Sequence, residues 1–131
     1  MILVDSSVWI DYFDGNQTLQ SDWLDSALGI KPIIMGDLIL TEVLQGFQSD
    51  NDFKTARDLL LMIPFISMGG QTIALKSAAN FRLLRKKGVT VRKTIDVIIG
   101  TFCIHNQLTL LHCDRDFDPM TQHLDLKTVV L

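Results

Sequence analysis

Apolar positions along the chain come in two rhythms. Short runs at Ile2–Val4, Pro32–Met35, Phe65–Ser67, Leu108–Leu111 and Thr128–Val130 read as brief strands. Between them, apolar residues recur every three or four positions, the spacing of a helix with one face inward. Ser6 and Ser7 are expected to cap a first helix through Phe13, stopped by Gly15 and Asn16. Thr18–Leu28 follows, with Leu19, Trp23 and Leu24 at helical spacing, and then a helix opened by Gly36-Asp37 with Leu40, Val43, Leu44 and Phe47 on its core face. Asp52–Met62 and Gln71–Lys87 are further helices, the second ending at Gly88 with Ala74, Leu75, Ala78, Ala79 and Leu83 turned inward. Last comes Thr94–Ile104, with Thr94 as cap and so many apolar residues that it should be buried on every side, until Asn106-Gln107 ends it. Strands alternating with helices predict an α/β chain: a short-stranded parallel sheet in a three-layer α/β/α arrangement.

That architecture gives the acidic residues a place to meet. In a parallel sheet all strand C-termini lie on one edge, so Asp5 and the loop carrying Asp114, Asp116 and Asp118 project to the same side. Asp96, in the first turn of the buried helix, joins them if the connection Val89–Lys93 carries the chain back. Each also has an ordinary reading. An Asp in a first helical turn complements the helix dipole, and aspartates after a strand form turns and caps. Glu42 is the only glutamate beside fourteen aspartates and sits at the edge of a core face, which suits either a boundary residue or a site residue. Clustered carboxylates repel by roughly 1–4 kcal/mol per close pair, and a hard divalent cation is the usual compensation. Metal-activated water attacking a phosphodiester is the chemistry such a cluster supports.

Composition narrows the field. With 131 residues, 47% of them apolar and 21% charged, the chain is expected to fold as one globular domain. Cys103 and Cys113 are too few for a disulfide scaffold and point to reduced thiols in the cytoplasm. No basic leader precedes Ile2, so no signal peptide is expected, and the longest apolar run, Leu59–Ile66, is broken by Pro64 and is too short to span a membrane. The net charge of −3 hides a strong segregation: Lys76 to Lys93 carries seven basic residues and no acid. Arg85–Lys87 could simply serve a helix C-terminus; alternatively Arg82, Arg85, Lys86, Lys87, Arg92 and Lys93 grip phosphates beside the acids. Lipase-type elbows, phosphate-binding glycine loops and H-E-x-x-H are absent, and His105, His112 and His123 lack ligand spacing. A dehalogenase-type phosphatase would need an acid where Ser7 stands, and a phosphoacceptor receiver domain an acidic pair after the first strand.

Taken together, Ile2-Leu-Val-Asp5-Ser-Ser-Val-Trp-Ile-Asp11, Thr41-Glu42-Val43-Leu-Gln-Gly46, Arg85-Lys-Lys-Gly88 leading to Thr94-Ile-Asp96, and Asp114-Arg-Asp116-Phe117 resemble PIN-domain ribonucleases. Within that group the chain resembles the VapC toxins of type II toxin–antitoxin systems. The resemblance implies a PIN-like fold and an acidic quartet of Asp5, Glu42, Asp96 and Asp114, with Asp116 as a fifth member. It also implies a Mg²⁺- or Mn²⁺-dependent endoribonuclease acting on structured RNA such as tRNA or rRNA, a small VapB-like antitoxin, and a homodimer. In this reading Asp5, Asp96, Asp114 and Asp116 hold the metal, Glu42 positions water or a second ion, and Ser7 is a possible site hydroxyl. Exposed Trp9, Tyr12 and Phe13 would form a groove for the antitoxin. Gly100 departs from the alanine common in relatives. A non-catalytic PIN-fold binding module is the alternative, although such modules usually lose some of the acids.

Overall fold

The computed structural model describes residues 1–131. Four short strands, β1 (Ile2–Val4), β2 (Ile33–Gly36), β3 (Phe65–Ile66) and β4 (Thr109–Leu111), form one parallel sheet in the order β3-β2-β1-β4. Leu3 pairs with Ile34 on one side and Leu110 on the other, so β1 is central and its residues Leu3 and Val4 are fully buried. Burial on both faces explains why β1, β2 and β4 read as continuous apolar runs without alternation.

Seven helices cover the sheet: α1 (Ser6–Asp14), α2 (Leu19–Ala27), α3 (Asp37–Leu44), α4 (Asp50–Leu60), α5 (Gln71–Lys86), α6 (Thr94–His105) and α7 (Asp118–Leu124). They pack in two groups, α1 with α2 and α3, and α5 with α6 and α7, which gives the expected α/β/α layers. The third strand is shorter than expected, and the terminal run Thr128–Val130 is reduced to a single parallel bridge from Thr128 to Leu110. The fourth helix starts two residues early, because Ser49 accepts the Asp52 N–H and acts as its cap.

Several local expectations need correction. Asp5, rather than Ser6 or Ser7, is the N-cap of α1, and its carboxylate accepts the Ser7 N–H. Thr94 is the first residue of α6 and makes no capping hydrogen bond; Lys93 occupies the cap position. On α5 the buried residues are Ile73, Ser77 and Leu84, while Ala74, Leu75, Ala78, Ala79 and Leu83 lie on the exposed side. Alanine fits either environment, so its periodicity misassigned the face. Trp9 is fully buried, where it stacks on Phe13. Helix α7 was not expected, although Pro119 in its first turn and Met120 and Leu124 one turn apart are its signals.

Candidate active site

The strand order decides where a crevice opens. From β1 the chain steps outward to β2 and β3, then returns to place β4 on the other side of β1. In open parallel sheets ligands bind outside the strand C-termini where the order reverses, here between β1 and β4. Asp5 leaves β1 at that point, and its N–H donates to Leu111 O at the end of β4 at 2.9 Å. Asp114 follows β4 and starts a 3₁₀ turn, Arg115–Phe117, by accepting the Asp116 N–H at 2.9 Å on Oδ1. The loop Val89–Lys93 brings α6 back so that Asp96 opens onto the same place.

Ligand oxygens of Asp96, Asp114 and Asp116 lie within 4.8 Å of one another. Asp5 does not join this closest group, although its charge acts on Asp96. Glu42, on α3, also adds its field there. Burial, then the negative charges of Asp5, Asp114 and Glu42, push the Asp96 carboxyl up to about 7, with Lys93 opposing them. The Asp5 carboxyl is raised by burial and held back by hydrogen bonds from Ser7 and Ser6 and by His112. Glu42 is raised by burial and by Asp5, against Ser6 and Lys93.

Two hydroxyls on consecutive residues hold two of these acids. Ser7 Oγ donates to Asp5 Oδ2 at 2.6 Å and accepts the Cys113 N–H at 3.3 Å, tying the end of β1 to the loop after β4. Ser6 Oγ donates to Glu42 Oε1 at 3.1 Å. Ser6 was missed from sequence, because nothing in a linear reading couples positions 36 residues apart. His112, which lacks ligand spacing, packs on Phe117 with ring centroids 4.9 Å apart and accepts the Asp114 N–H on Nδ1. That bond sets its proton on Nε2 when the ring is neutral.

The donor set fits a divalent cation. Asp5 Oδ1 and Asp96 Oδ2 are buried without any hydrogen-bond partner. A buried carboxylate oxygen without a donor is costly, and hard cations take oxygen ligands of this kind. Arg92 and Lys93 line one cleft with Asp96 and Asp116. Arg82 and Arg85 instead line a separate groove between α5 and α6, with Arg85 stacked over the Phe81 ring at 5.1 Å. Lys86 and Lys87 end α5 in solvent. The expected basic run is therefore split, with its last two members beside the acids.

A parallel sheet with a cluster of carboxylates at its switch point makes this an α/β domain with a candidate metal site at the strand C-termini. The chain belongs to the PIN domain family, whose model matches residues 2–121. It is 28% identical over 129 residues to Ribonuclease VapC11 of Mycobacterium tuberculosis, covering 97% of this chain and 96% of the relative. Among solved structures, VapBC2 from Rickettsia felis, bound to a DNA fragment from its promoter, superposes with a TM-score of 0.76 at 14% identity, covering 98% of each chain. The Sarcin-Ricin loop cleaving toxin VapC20 of Mycobacterium tuberculosis superposes with a TM-score of 0.66 at 14% identity, covering 90% of this chain and 93% of that one. These superpositions bear out the PIN fold expected from the motifs.

Proposed function

We propose that this protein is a divalent-metal-dependent endoribonuclease that acts as the toxin of a toxin–antitoxin pair. The observation that carries the reading is the convergence of Asp5, Glu42, Asp96, Asp114 and Asp116 at the β1/β4 switch point, with Asp5 Oδ1 and Asp96 Oδ2 buried and unpartnered. Asp5, Asp96, Asp114 and Asp116 would hold Mg²⁺, for which Mn²⁺ can substitute. When bound, the cation lowers the pKa of water and neutralises charge on the phosphate. Glu42, oriented by Ser6, positions the attacking water, and Ser7 keeps Asp5 turned into the site. Arg92 and Lys93 hold RNA phosphates next to the acids, with Arg82, Arg85, Lys86 and Lys87 as an outer basic track. The substrate class is structured RNA, in keeping with ribonuclease relatives and one that cleaves the Sarcin-Ricin loop.

The partner is a small VapB-like antitoxin. Its amphipathic segment would lie in the groove between α1 and α3, where Ile10, Phe13, Val43 and Phe47 line the wall and Ile10 is exposed. That groove excludes Trp9, which is part of the core. Ala74, Ala78, Phe81 and Ile98 give the α5–α6 groove an apolar lining suited to a homodimer. Two unpaired cysteines, Cys103 and Cys113, suit the reducing cytoplasm, and no helix is long and apolar enough to cross a membrane.

Incubation of purified protein with total RNA, with Mg²⁺ and with EDTA, and mapping of new ends, tests the reading. Cleavage that requires the cation and disappears in Asp5→Asn is expected. Cleavage unaffected by EDTA would overturn the metal mechanism, and harmless expression without the antitoxin would overturn the toxin role.

A further inference from the structure

Strand β3 lies at the edge of the sheet, with β2 on one side and no strand on the other. Its inner side is engaged. The register pairs Met35 with Phe65 and Gly36 with Ile66, and the Met35 N–H donates to Pro64 O at 2.8 Å. Backbone groups of alternate residues in an extended chain point to opposite sides, so with Pro64 and Ile66 turned to β2 the N–H and C=O of Phe65 point outward. Ser67 repeats that direction, since the Met68 N–H after it returns inward to Asp37 Oδ1 at 3.0 Å. Neither Phe65 nor Ser67 has a backbone hydrogen-bond partner within the chain.

The surroundings leave this edge open and apolar. Four of the twelve exposed large hydrophobic residues fall within Leu59–Phe65: Leu59, Leu61, Met62 at 83% exposure and Phe65 at 57%. From Leu59 to Leu75 the chain carries no charged residue. Sheet edges are ordinarily protected by shortness, lysines, prolines, bulges or a covering segment, and of these β3 has only its shortness. Pro64 turns its carbonyl to β2 and blocks nothing outside, and Gly69 and Gly70 beyond the strand stand in open space.

We propose that β3 is a self-association surface, on which a second copy of this chain pairs its own β3 antiparallel about a two-fold axis at Ile66. Phe65 of one copy then lies opposite Ser67 of the other, and each such pair exchanges two N–H···O bonds, as the hydrogen-bonded pairs of an antiparallel ladder do. All the outward backbone groups of both residues are satisfied, and the sheet becomes continuous across the two copies. The exposed Leu61, Met62 and Phe65 are drawn into the same contact. An edge without charge meets its own copy with no like-charge repulsion, and the two-fold matches it group for group. The strand is short, so the contact is small and forms as concentration rises. It is independent of the ribonuclease reading and separate from the α5–α6 groove.

Sedimentation equilibrium of the full chain over a concentration series tests this. Ala78→Arg, at an exposed position in the α5–α6 groove, serves as the background, so that association through that groove does not contribute. The Ala78→Arg chain should still pair in twos. Adding Phe65→Lys, which charges the edge as natural edge strands do, should raise the dissociation constant about tenfold or more, and so should Met62→Lys. Leu19→Lys, at a similarly exposed apolar residue on α2, should leave it unchanged. Hydrogen exchange followed by NMR reads the pairing itself: the Phe65 and Ser67 amides should exchange about tenfold more slowly in concentrated than in dilute protein. A chain that stays monomeric in the Ala78→Arg background would overturn the proposal. So would a dissociation constant insensitive to both lysines, or equal exchange of the two amides at both concentrations. None of these readouts involves cleavage, so failure of the ribonuclease reading would show separately, in the total-RNA assay.

Discussion

Asp5 and Asp37 occupy equivalent places and do different work. Each directly follows one of two adjacent parallel strands, β1 and β2, and each stands at the start of the next helix. Asp37 Oδ1 accepts the Leu38 N–H and the Met68 N–H, both at 3.0 Å, so its charge is used to tie α3 to the segment after β3. Asp5 is only 3% exposed, its Oδ2 is held by Ser7, and its Oδ1 has no donor at all. The strand order separates them, because β1 borders the reversal point and β2 does not. An aspartate after a strand is thus left available for a ligand only where its oxygens are not spoken for.

The largest effect that sharpens this comparison is on cleavage. Asp5→Asn or Asp96→Asn should lower kcat by well over a hundredfold, since changes that only touch a ligand's supporting partner already cost about 10–100-fold. Both variants should keep the native fold by circular dichroism. Asp37→Ala should do the reverse, lowering stability by about 1–2 kcal/mol in denaturant melts with cleavage little changed. Substantial cleavage by Asp5→Asn would erase the distinction.

Next come the hydroxyls that hold the acids. Ser6→Ala and Ser7→Ala should each reduce cleavage about 10–100-fold, with thermal midpoints close to the parent. Ser6→Ala combined with Glu42→Gln should be no worse than Glu42→Gln alone, because the hydroxyl acts through the carboxylate. Additive losses would show that Ser6 works elsewhere.

Acidity gives a third test. The Asp96 carboxyl is raised from 3.8 to about 7, so the folded state binds its proton more tightly than the unfolded chain. Its contribution to stability is complete below pH 3.8 and is lost as pH rises through about 7 in metal-free protein. Asp96→Asn should flatten that part of the profile. Cation binding needs ionised carboxylates, so Mg²⁺ should raise the melting temperature more at pH 8 than at pH 5. An equal shift at both would place the cation away from Asp96.

The smallest effect concerns two close approaches, one in β2 and one in α6. A Cβ at Gly36 would press on both Sδ and Cγ of Met68, whereas one at Gly100 would press chiefly on Sδ of Met120. Gly36→Ala should cost about 1–3 kcal/mol of overpacking. At Gly100 the helix gains roughly 1 kcal/mol from alanine, which offsets most of the crowding. Gly100 thus reflects the methionine packed against it. A large loss in Gly100→Ala that Met120→Ala does not relieve would refute this account.

Much of this was legible in the chain because the signals are local. Apolar runs of three or four residues bounded by turn formers specify buried strands, and the helical spacing of α3 and α6 specifies their existence and approximate ends. The acids at 5, 96, 114 and 116 were identifiable because each stands at the edge of such an element. Faces and caps were less legible. The alanine-rich α5 has no strong amphipathic contrast, and a Thr or Ser before an apolar run caps a helix only if its backbone stays outside the first turn.

By itself the sequence determined the element types, the parallel sheet they imply and which acids are candidates for chemistry, since periodicity and turn preference act over a few residues. Only the tertiary structure decided that β4 lies beside β1, which brings the loop carrying Asp114 up against the end of β1 rather than merely onto the same edge. It alone placed Ser6 on Glu42, buried Trp9, and left Arg115 unpaired among three aspartates. Those outcomes depend on contacts between residues far apart in the chain, which the packing of the layers selects and no local preference encodes.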